Sequence, residues 1–96
     1  THIPGVFTIA PEFVAAAVGP GTIEVRMVLP TTKAMINVGS VGQPRDNDPR
    51  ACYVIVEDFE TVRYRRIKYD NKVTSDKIYN IPELDNFLGD RLLVGR

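Results

Sequence analysis

The chain has 96 residues and so forms one domain at most, and its 12 basic and 12 acidic residues give a formal net charge of zero. This balance gives no general attraction to nucleic acid or to an anionic membrane, the apolar runs are far shorter than the roughly 20 residues of a membrane-spanning helix, and no signal peptide is recognisable. The single cysteine, Cys52, lies in an apolar run and lacks a partner for an intrachain disulfide. We therefore expect a core residue and a reducing, cytoplasmic compartment.

The first half of the chain predicts three strands and one loop. Residues 5–9 have strand composition, and residues 22–29 alternate, with Ile23, Val25, Met27 and Leu29 on one face. Residues 33–38 form a short apolar strand. Residues 10–21 contain two prolines and two glycines and predict a loop, in which residues 13–18 form a helical turn or a small buried plug.

Two further strands follow a long polar segment. Residues 51–57 are apolar on both faces, which is typical of a central strand buried on both sides in a layered sandwich. Such a strand also predicts that the isolated chain folds poorly or self-associates. In residues 61–69 the apolar positions change phase between Tyr64 and Ile67, which predicts a β-bulge near Arg65 and Arg66.

Helices are predicted at the C-terminal end. Asp70 or Asn71 can cap a helix over residues 72–79. Pro82 and Glu83 suit the start of a second helix, whose apolar stripe is Leu84, Phe87, Leu88 and Leu92, and in which Gly89 marks a close contact. Strands followed by helices indicate an α+β architecture.

The polar segment between the two buried strands, residues 37–50, reads NVGSVGQPRDNDPR. A connector this polar must run over the surface, where folds place binding and catalytic groups. Gly39 and Gly42 permit unusual backbone torsions and the close approach of a ligand.

Taken singly, the polar residues name no reaction. The lone histidine, His2, is most simply structural, and the acidic residues at 46 and 48 lack the spacing of a calcium loop. The basic residues Arg63, Arg65, Arg66 and Lys68 are most simply a solvated strand face paired with Glu57, Asp58 or Glu60. Ser40 between glycines is not a nucleophile elbow, and no second histidine could act as its base.

Residues 37–53 resemble the C-terminal signature of the calcineurin-like metallophosphoesterases, closest to small bacterial phosphoesterases and serine/threonine protein phosphatases. That signature reads Asn-Pro-Gly-Ser-Val-Gly-Gln-Pro-Arg-Asp-Gly-Asp-Pro-Arg-Ala, and this chain departs from it at Val38 and Asn47. Residues 65–70 and 88–96 fit the same family. Residues 1–4, Thr-His-Ile-Pro, look like the second half of its Gly-His-Thr-His motif and the pair that follows.

The resemblance implies a four-layer α/β/β/α sandwich, of which residues 1–96 are the C-terminal portion of a single domain without its N-terminal portion. It implies a metal-dependent phosphatase or phosphodiesterase with two divalent ions drawn from Mn, Fe, Zn, Co or Ni. His2 is the expected metal ligand. Asn37, Ser40 and Arg45 are candidates for binding a phosphorylated substrate, and a structural ion pair of Arg45 with Asp46 or Asp48 is the alternative.

The family motifs that supply the other metal ligands are not in this sequence, so the 96 residues alone are not expected to be active. The competing hypothesis is a non-catalytic α+β module that binds a partner through an open apolar sheet face. Neither substrate nor oligomeric state can be read from the residues.

Overall fold

The computed structural model describes residues 2–9, 14–17, 24–30 and 32–96. These ranges contain six strands and two helices in the chain order β1 (Gly5–Thr8), β2 (Val14–Ala17), β3 (Glu24–Val28), β4 (Ala34–Asn37), β5 (Ala51–Glu57), β6 (Thr61–Ile67), α1 (Asn71–Tyr79) and α2 (Phe87–Val94). Among the described residues no helix has the length and apolar character needed to cross a membrane. The predicted α+β class, with strands first and two helices last, is confirmed.

The strands form two antiparallel three-stranded sheets. The first has the order β2-β1-β4 and the second the order β3-β6-β5. A buried cluster of Val6, Cys52, Val62 and Tyr64 joins one residue of the first sheet to three of the second. Cys52 is therefore a core residue, as predicted, and burial raises the pKa of its thiol.

Strand β2 lies where the sequence predicted a loop with a helical turn or plug. The short run Val14–Ala17 instead pairs antiparallel with β1, from Thr8↔Val14 to Gly5↔Ala17. Pairing with a neighbouring strand satisfies backbone groups that so short an apolar segment could not satisfy by itself. The remainder of the predicted loop, residues 10–13 and 18–21, lies outside the described residues.

Strand β5 is not central, and the prediction that it is buried on both sides is wrong for the described chain. It occupies an edge of the second sheet, and Cys52 is its only fully buried residue. Val56 is 49% exposed. The central strand is β6, because it pairs with β3 on one side and β5 on the other.

The predicted β-bulge is absent from β6. Its pairing with β5 runs without interruption from Ala51↔Ile67 to Glu57↔Thr61. Val62, Tyr64 and Arg66 share the buried face, whereas Ile67 is 47% exposed. The apolar pattern changed phase because a charged residue, Arg66, continues the inward face, so the strand needs no extra residue.

Helix α1 agrees with the prediction to within one residue, although Asp70 at its N-cap makes no side-chain capping hydrogen bond. Asn71 instead donates from Nδ2 to the Leu92 carbonyl oxygen at 2.8 Å, which ties the start of α1 to α2. The close contact predicted at Gly89 is confirmed, since a Cβ there would lie 2.6 Å from Cε1 of Tyr79.

Helix α2 begins at Phe87 rather than at Pro82, so the predicted start is wrong by five residues. The Asp85 carboxylate accepts the Phe87 N–H at 2.9 Å, a local bond that competes with helix at this point. Of the predicted stripe, Leu92 is buried and Leu88 half-buried, while Leu84 and Phe87 are exposed.

Candidate functional site

The polar loop, residues 38–50, lies at the end of the first sheet where β1 begins and β4 ends. The register pairs Gly5 with Asn37, the last residue of β4. His2 precedes Gly5 by three residues, which limits their Cα separation to about 10 Å. The loop then reaches the second sheet, where Cys52 donates its N–H to the Ser40 carbonyl oxygen at 2.9 Å. The fold therefore brings the segment that carries His2 and the polar loop to one end of the molecule.

Two of the predicted substrate-binding side chains shape the loop. The Asn37 side chain accepts the Gly39 N–H through Oδ1 at 3.0 Å, and the Ser40 hydroxyl oxygen accepts the Gln43 N–H at 2.9 Å. Both bonds use oxygen acceptors. The amide group of Asn37 and the hydroxyl hydrogen of Ser40 can still donate hydrogen bonds. Their assignment to substrate binding stays a prediction.

The two glycines of the loop have different roles. Gly39 has a φ of +80°, and a Cβ there would lie 3.2 Å from Cβ and Sγ of Cys52. Gly42 has no such torsion, and a Cβ there would meet no atom within 4 Å among the described residues. The expectation of an unusual backbone torsion is therefore correct for Gly39 and wrong for Gly42. Because there is space beside Gly42, a ligand could approach its backbone closely, and this role stays a prediction.

The second half of the loop alternates between buried and exposed residues. Pro44, Asp46 and Asp48 are buried, whereas Arg45 and Asn47 are exposed. This segment is not a regular strand, since Asn47 has a φ of +64°, so the alternation is a property of the loop conformation. Arg45 is exposed between the two buried residues Pro44 and Asp46, and it donates from Nε to Oε1 of Gln43 at 3.1 Å.

The buried aspartates pair with two arginines other than Arg45. The Arg66 side chain, 1% exposed, donates from Nη2 to Oδ2 of Asp46 and lies 3.5 Å from Oδ2 of Asp48 through Nε. Arg50 donates two hydrogen bonds to the Asp48 carboxylate, from Nε at 2.9 Å and from Nη2 at 2.6 Å. Hydrogen bonding to Asp48 raises the pKa of Arg50. The alternative of a structural ion pair between Arg45 and Asp46 or Asp48 is therefore wrong.

The basic strand is only partly the solvated face that the sequence predicted. Arg63 lies 3.7 Å from Glu57, as expected, and the Arg65 guanidinium lies 5.9 Å from the Tyr53 ring centroid. Arg66 is instead buried. Sequence reasoning missed this residue, although its parity with Val62 and Tyr64 was the signal that could have identified it.

The C-terminal end of α2 supports the loop from the other side. Asn47, at a φ of +64°, donates its N–H to the Gly95 carbonyl oxygen at 2.8 Å. A Cβ at Gly95 would lie 2.6 Å from the backbone nitrogen of Asp48. The close approach of these two backbones requires glycine at position 95.

The residues that the structure describes do not form a two-metal centre by themselves. Within the described ranges, no group of three or more His, Cys, Asp or Glu side chains is placed to hold a metal ion. Asp46 and Asp48 are engaged with guanidinium groups and so do not supply open ligands. His2 is half-buried, and its role as a ligand stays a prediction that depends on donors from elsewhere.

No family model matches the chain. It is 44% identical over 66 residues to an uncharacterized protein of Methanocaldococcus jannaschii, a match that covers 67% of this chain and 26% of that protein. Among solved structures, the metallophosphoesterase from Sphaerobacter thermophilus superposes with a TM-score of 0.79 at 29% identity, over 99% of this chain and 39% of that one. The chain therefore spans well under half the length of both proteins. Nearly all of it is similar to part of a metallophosphoesterase, which suggests that superfamily.

Proposed function

We propose that this chain is part of a metal-dependent phosphoester hydrolase, a phosphatase or phosphodiesterase with two divalent ions. The observation that carries the proposal is the similarity of the fold, over 99% of the chain, to a solved metallophosphoesterase. The loop whose sequence suggested the family supports it, because that loop shares one end of the fold with the segment carrying His2. The described residues give no comparable support to a non-catalytic interaction module.

Two divalent ions would supply the activated water and the charge that stabilises phosphoryl transfer. Mn, Fe, Zn, Co and Ni are all compatible with imidazole and carboxylate ligands. Within this proposal His2 contributes one imidazole ligand, and the rest of the protein contributes the others. The buried free thiol of Cys52 supports a reducing, cytoplasmic location.

The role proposed for Arg45 is to bind the phosphate group of the substrate. Its neighbours Asp46 and Asp48 do not neutralise it, because each pairs with another arginine. Its described hydrogen bonds go to the neutral amide of Gln43. An exposed guanidinium held by a neutral group retains its charge for an anion and can form paired hydrogen bonds to phosphate. Asn37 and Ser40 are proposed as additional donors to the same group.

The experiment uses the full-length protein with p-nitrophenyl phosphate and its bis-ester, each tested with the five metals. We expect hydrolysis that depends on added metal. His2→Ala should lower both the bound metal and kcat by orders of magnitude while the circular dichroism spectrum is unchanged. Full metal occupancy and full activity in His2→Ala would remove His2 from the metal site, and absence of hydrolysis in the wild type would favour the interaction module.

Arg45→Ala tests substrate binding separately. Loss of a charge-assisted pair of hydrogen bonds costs about 1.5–3 kcal/mol, so kcat/KM should fall roughly ten- to a hundredfold with metal content and Tm unchanged. Arg26→Ala is the control, because Arg26, on β3, is also exposed but pairs with Glu57 of β5. A fall in Tm without a change in kcat/KM would show that Arg45 is structural.

A further inference from the structure

We propose that Arg66 is a positioning residue for Arg45, an inference that rests on the proposed function of Arg45 in binding phosphate. Arg66 does not reach the surface itself, since its side chain is 1% exposed. It lies on β6, the central strand of the second sheet, opposite Cys52 of the core. From this fixed point its guanidinium extends to the two buried aspartates of the loop.

Arg66 contacts the residue next to Arg45 in the chain and so can fix the position of Arg45. Asp46 is the residue after Arg45, and both of its carboxylate oxygens accept from Arg66, Oδ1 from Nη1 at 3.4 Å and Oδ2 from Nη2. Pro44, the residue before Arg45, is also buried. Arg45 therefore projects outward from a backbone segment that is fixed on both sides.

A second anchor restrains the same segment two residues further on. The Asp48 carboxylate lies 3.5 Å from Nε of Arg66, so Arg66 contacts both buried carboxylates of the loop. Asp48 also forms an ion pair with Arg50. Asp46 and Asp48 carry two negative charges, and Arg50 and Arg66 carry two positive charges. The charges of the buried group are balanced without Arg45, whose guanidinium donates to Gln43. Arg66 thus fixes the loop and also keeps the aspartates from pairing with Arg45.

The proposal predicts a specific coupling between Arg66 and Arg45. Arg66→Lys keeps the charge but loses the planar fork that contacts two carboxylates. In the full-length enzyme we expect this variant to raise KM for p-nitrophenyl phosphate about tenfold, with bound metal unchanged. In an Arg45→Ala background the same substitution should raise KM less than about twofold further, because residues that act as a unit are not additive.

A purely structural role gives a different result. If Arg66 only stabilises the fold, Arg66→Lys will lower Tm and leave KM unchanged, and that result overturns the proposal. An increase in KM by the same factor in both backgrounds also overturns it, because it would show no coupling to Arg45. Arg63→Lys is the matched control on the same strand and should leave KM unchanged, since Arg63 pairs with Glu57. If Arg66→Lys fails to fold, the double variant Asp46→Asn with Arg66→Gln is used instead, because it replaces the charged pair with a neutral one. Its effect on KM is then measured with and without Arg45→Ala, as for Arg66→Lys.

A second readout does not depend on activity. Amide hydrogen exchange of full-length Arg66→Lys should rise in the peptides covering residues 41–45, ahead of the anchor, as well as in residues 46–50. Faster exchange in residues 46–50 alone would overturn the positioning role. If the wild type is inactive but Arg66→Lys still exchanges faster than the wild type at residues 41–45, the hydrolase assignment is refuted. Arg66 then remains the residue that orders the segment carrying Arg45.

Discussion

The Tyr64 hydroxyl oxygen lies 2.7 Å from the carbonyl oxygen of Asn37 and so joins the second sheet to the last residue of β4. The same hydroxyl lies 2.9 Å from the carbonyl oxygen of Gly5, the residue opposite Asn37 in the β1–β4 pair. Tyr64 is 1% exposed. This buried contact fixes the end of the first sheet from which the polar loop begins.

Replacing Tyr64 with phenylalanine should lower the free energy of unfolding of the full-length protein by about 1–2 kcal/mol. The reason is that the buried carbonyl oxygen of Gly5 and the half-buried carbonyl oxygen of Asn37 would lose the donor that they share. Urea denaturation measures the change. Tyr79→Phe is the control, because its hydroxyl bonds the exposed Asp90 carboxylate, and it should cost less than about 0.5 kcal/mol. Equal losses in the two variants would contradict a special role for Tyr64.

Alkaline pH should destabilise the protein through the same residue. Burial raises the pKa of Tyr64 from 10.0 to about 12. The folded state therefore keeps the phenol proton at a pH where the unfolded state has lost it. The resulting stability is fully present below about pH 10 and falls by about 2–3 kcal/mol as the pH rises towards 12.

The comparison of wild type with Tyr64→Phe isolates this effect. Urea unfolding at about pH 9 and about pH 11 should show a smaller pH-dependent loss in the variant, since phenylalanine does not titrate. All other residues are the same in the two proteins, so their contributions cancel in the difference. Identical losses in the two proteins would show that Tyr64 is not the source.

The two loop glycines should respond differently to alanine. Gly39→Ala forces a side chain into a left-handed torsion and against Cys52, so we expect a loss of about 1–2 kcal/mol of stability. Gly42→Ala enters open space and should leave Tm unchanged. If substrate approaches the backbone there, it should raise KM. Thermal melts and steady-state kinetics on both variants test this, and a lower Tm in Gly42→Ala would contradict the assignment.

Gly95→Ala should detach the polar loop from α2. The added Cβ would lie 2.6 Å from backbone atoms of Asp48, at a φ of +76°, and backbone cannot yield as a side chain can. We expect a loss of more than about 2 kcal/mol by urea denaturation. Gly89→Ala is the matched control, because a Cβ there would lie 2.6 Å from a side-chain atom of Tyr79 and no closer than 3.1 Å to backbone, at the Ser75 carbonyl oxygen. A smaller loss for Gly95→Ala than for Gly89→Ala would argue against a tight contact between Gly95 and Asp48.

Local pattern in the sequence was sufficient for much of the fold. Strand composition located β1, alternation located β3 and β6 (the latter with a bulge that the structure lacks), apolar runs located β4 and β5, and composition located the surface loop and the core position of Cys52. Helix α1 was also placed to within a residue. These features depend on the periodicity of neighbouring side chains, which is written directly in the chain. The loop sequence alone likewise suggested the family.

Tertiary structure decided the features that depend on residues distant in sequence. Strand β2 exists because β1 lies beside it, and β5 is at an edge because β6 pairs with β3. Arg66 could be buried only because Asp46 and Asp48, about 20 residues earlier, supply the opposite charge. A charged side chain in an alternating strand predicts a solvated face by itself, and the partner that reverses this expectation is visible only in three dimensions.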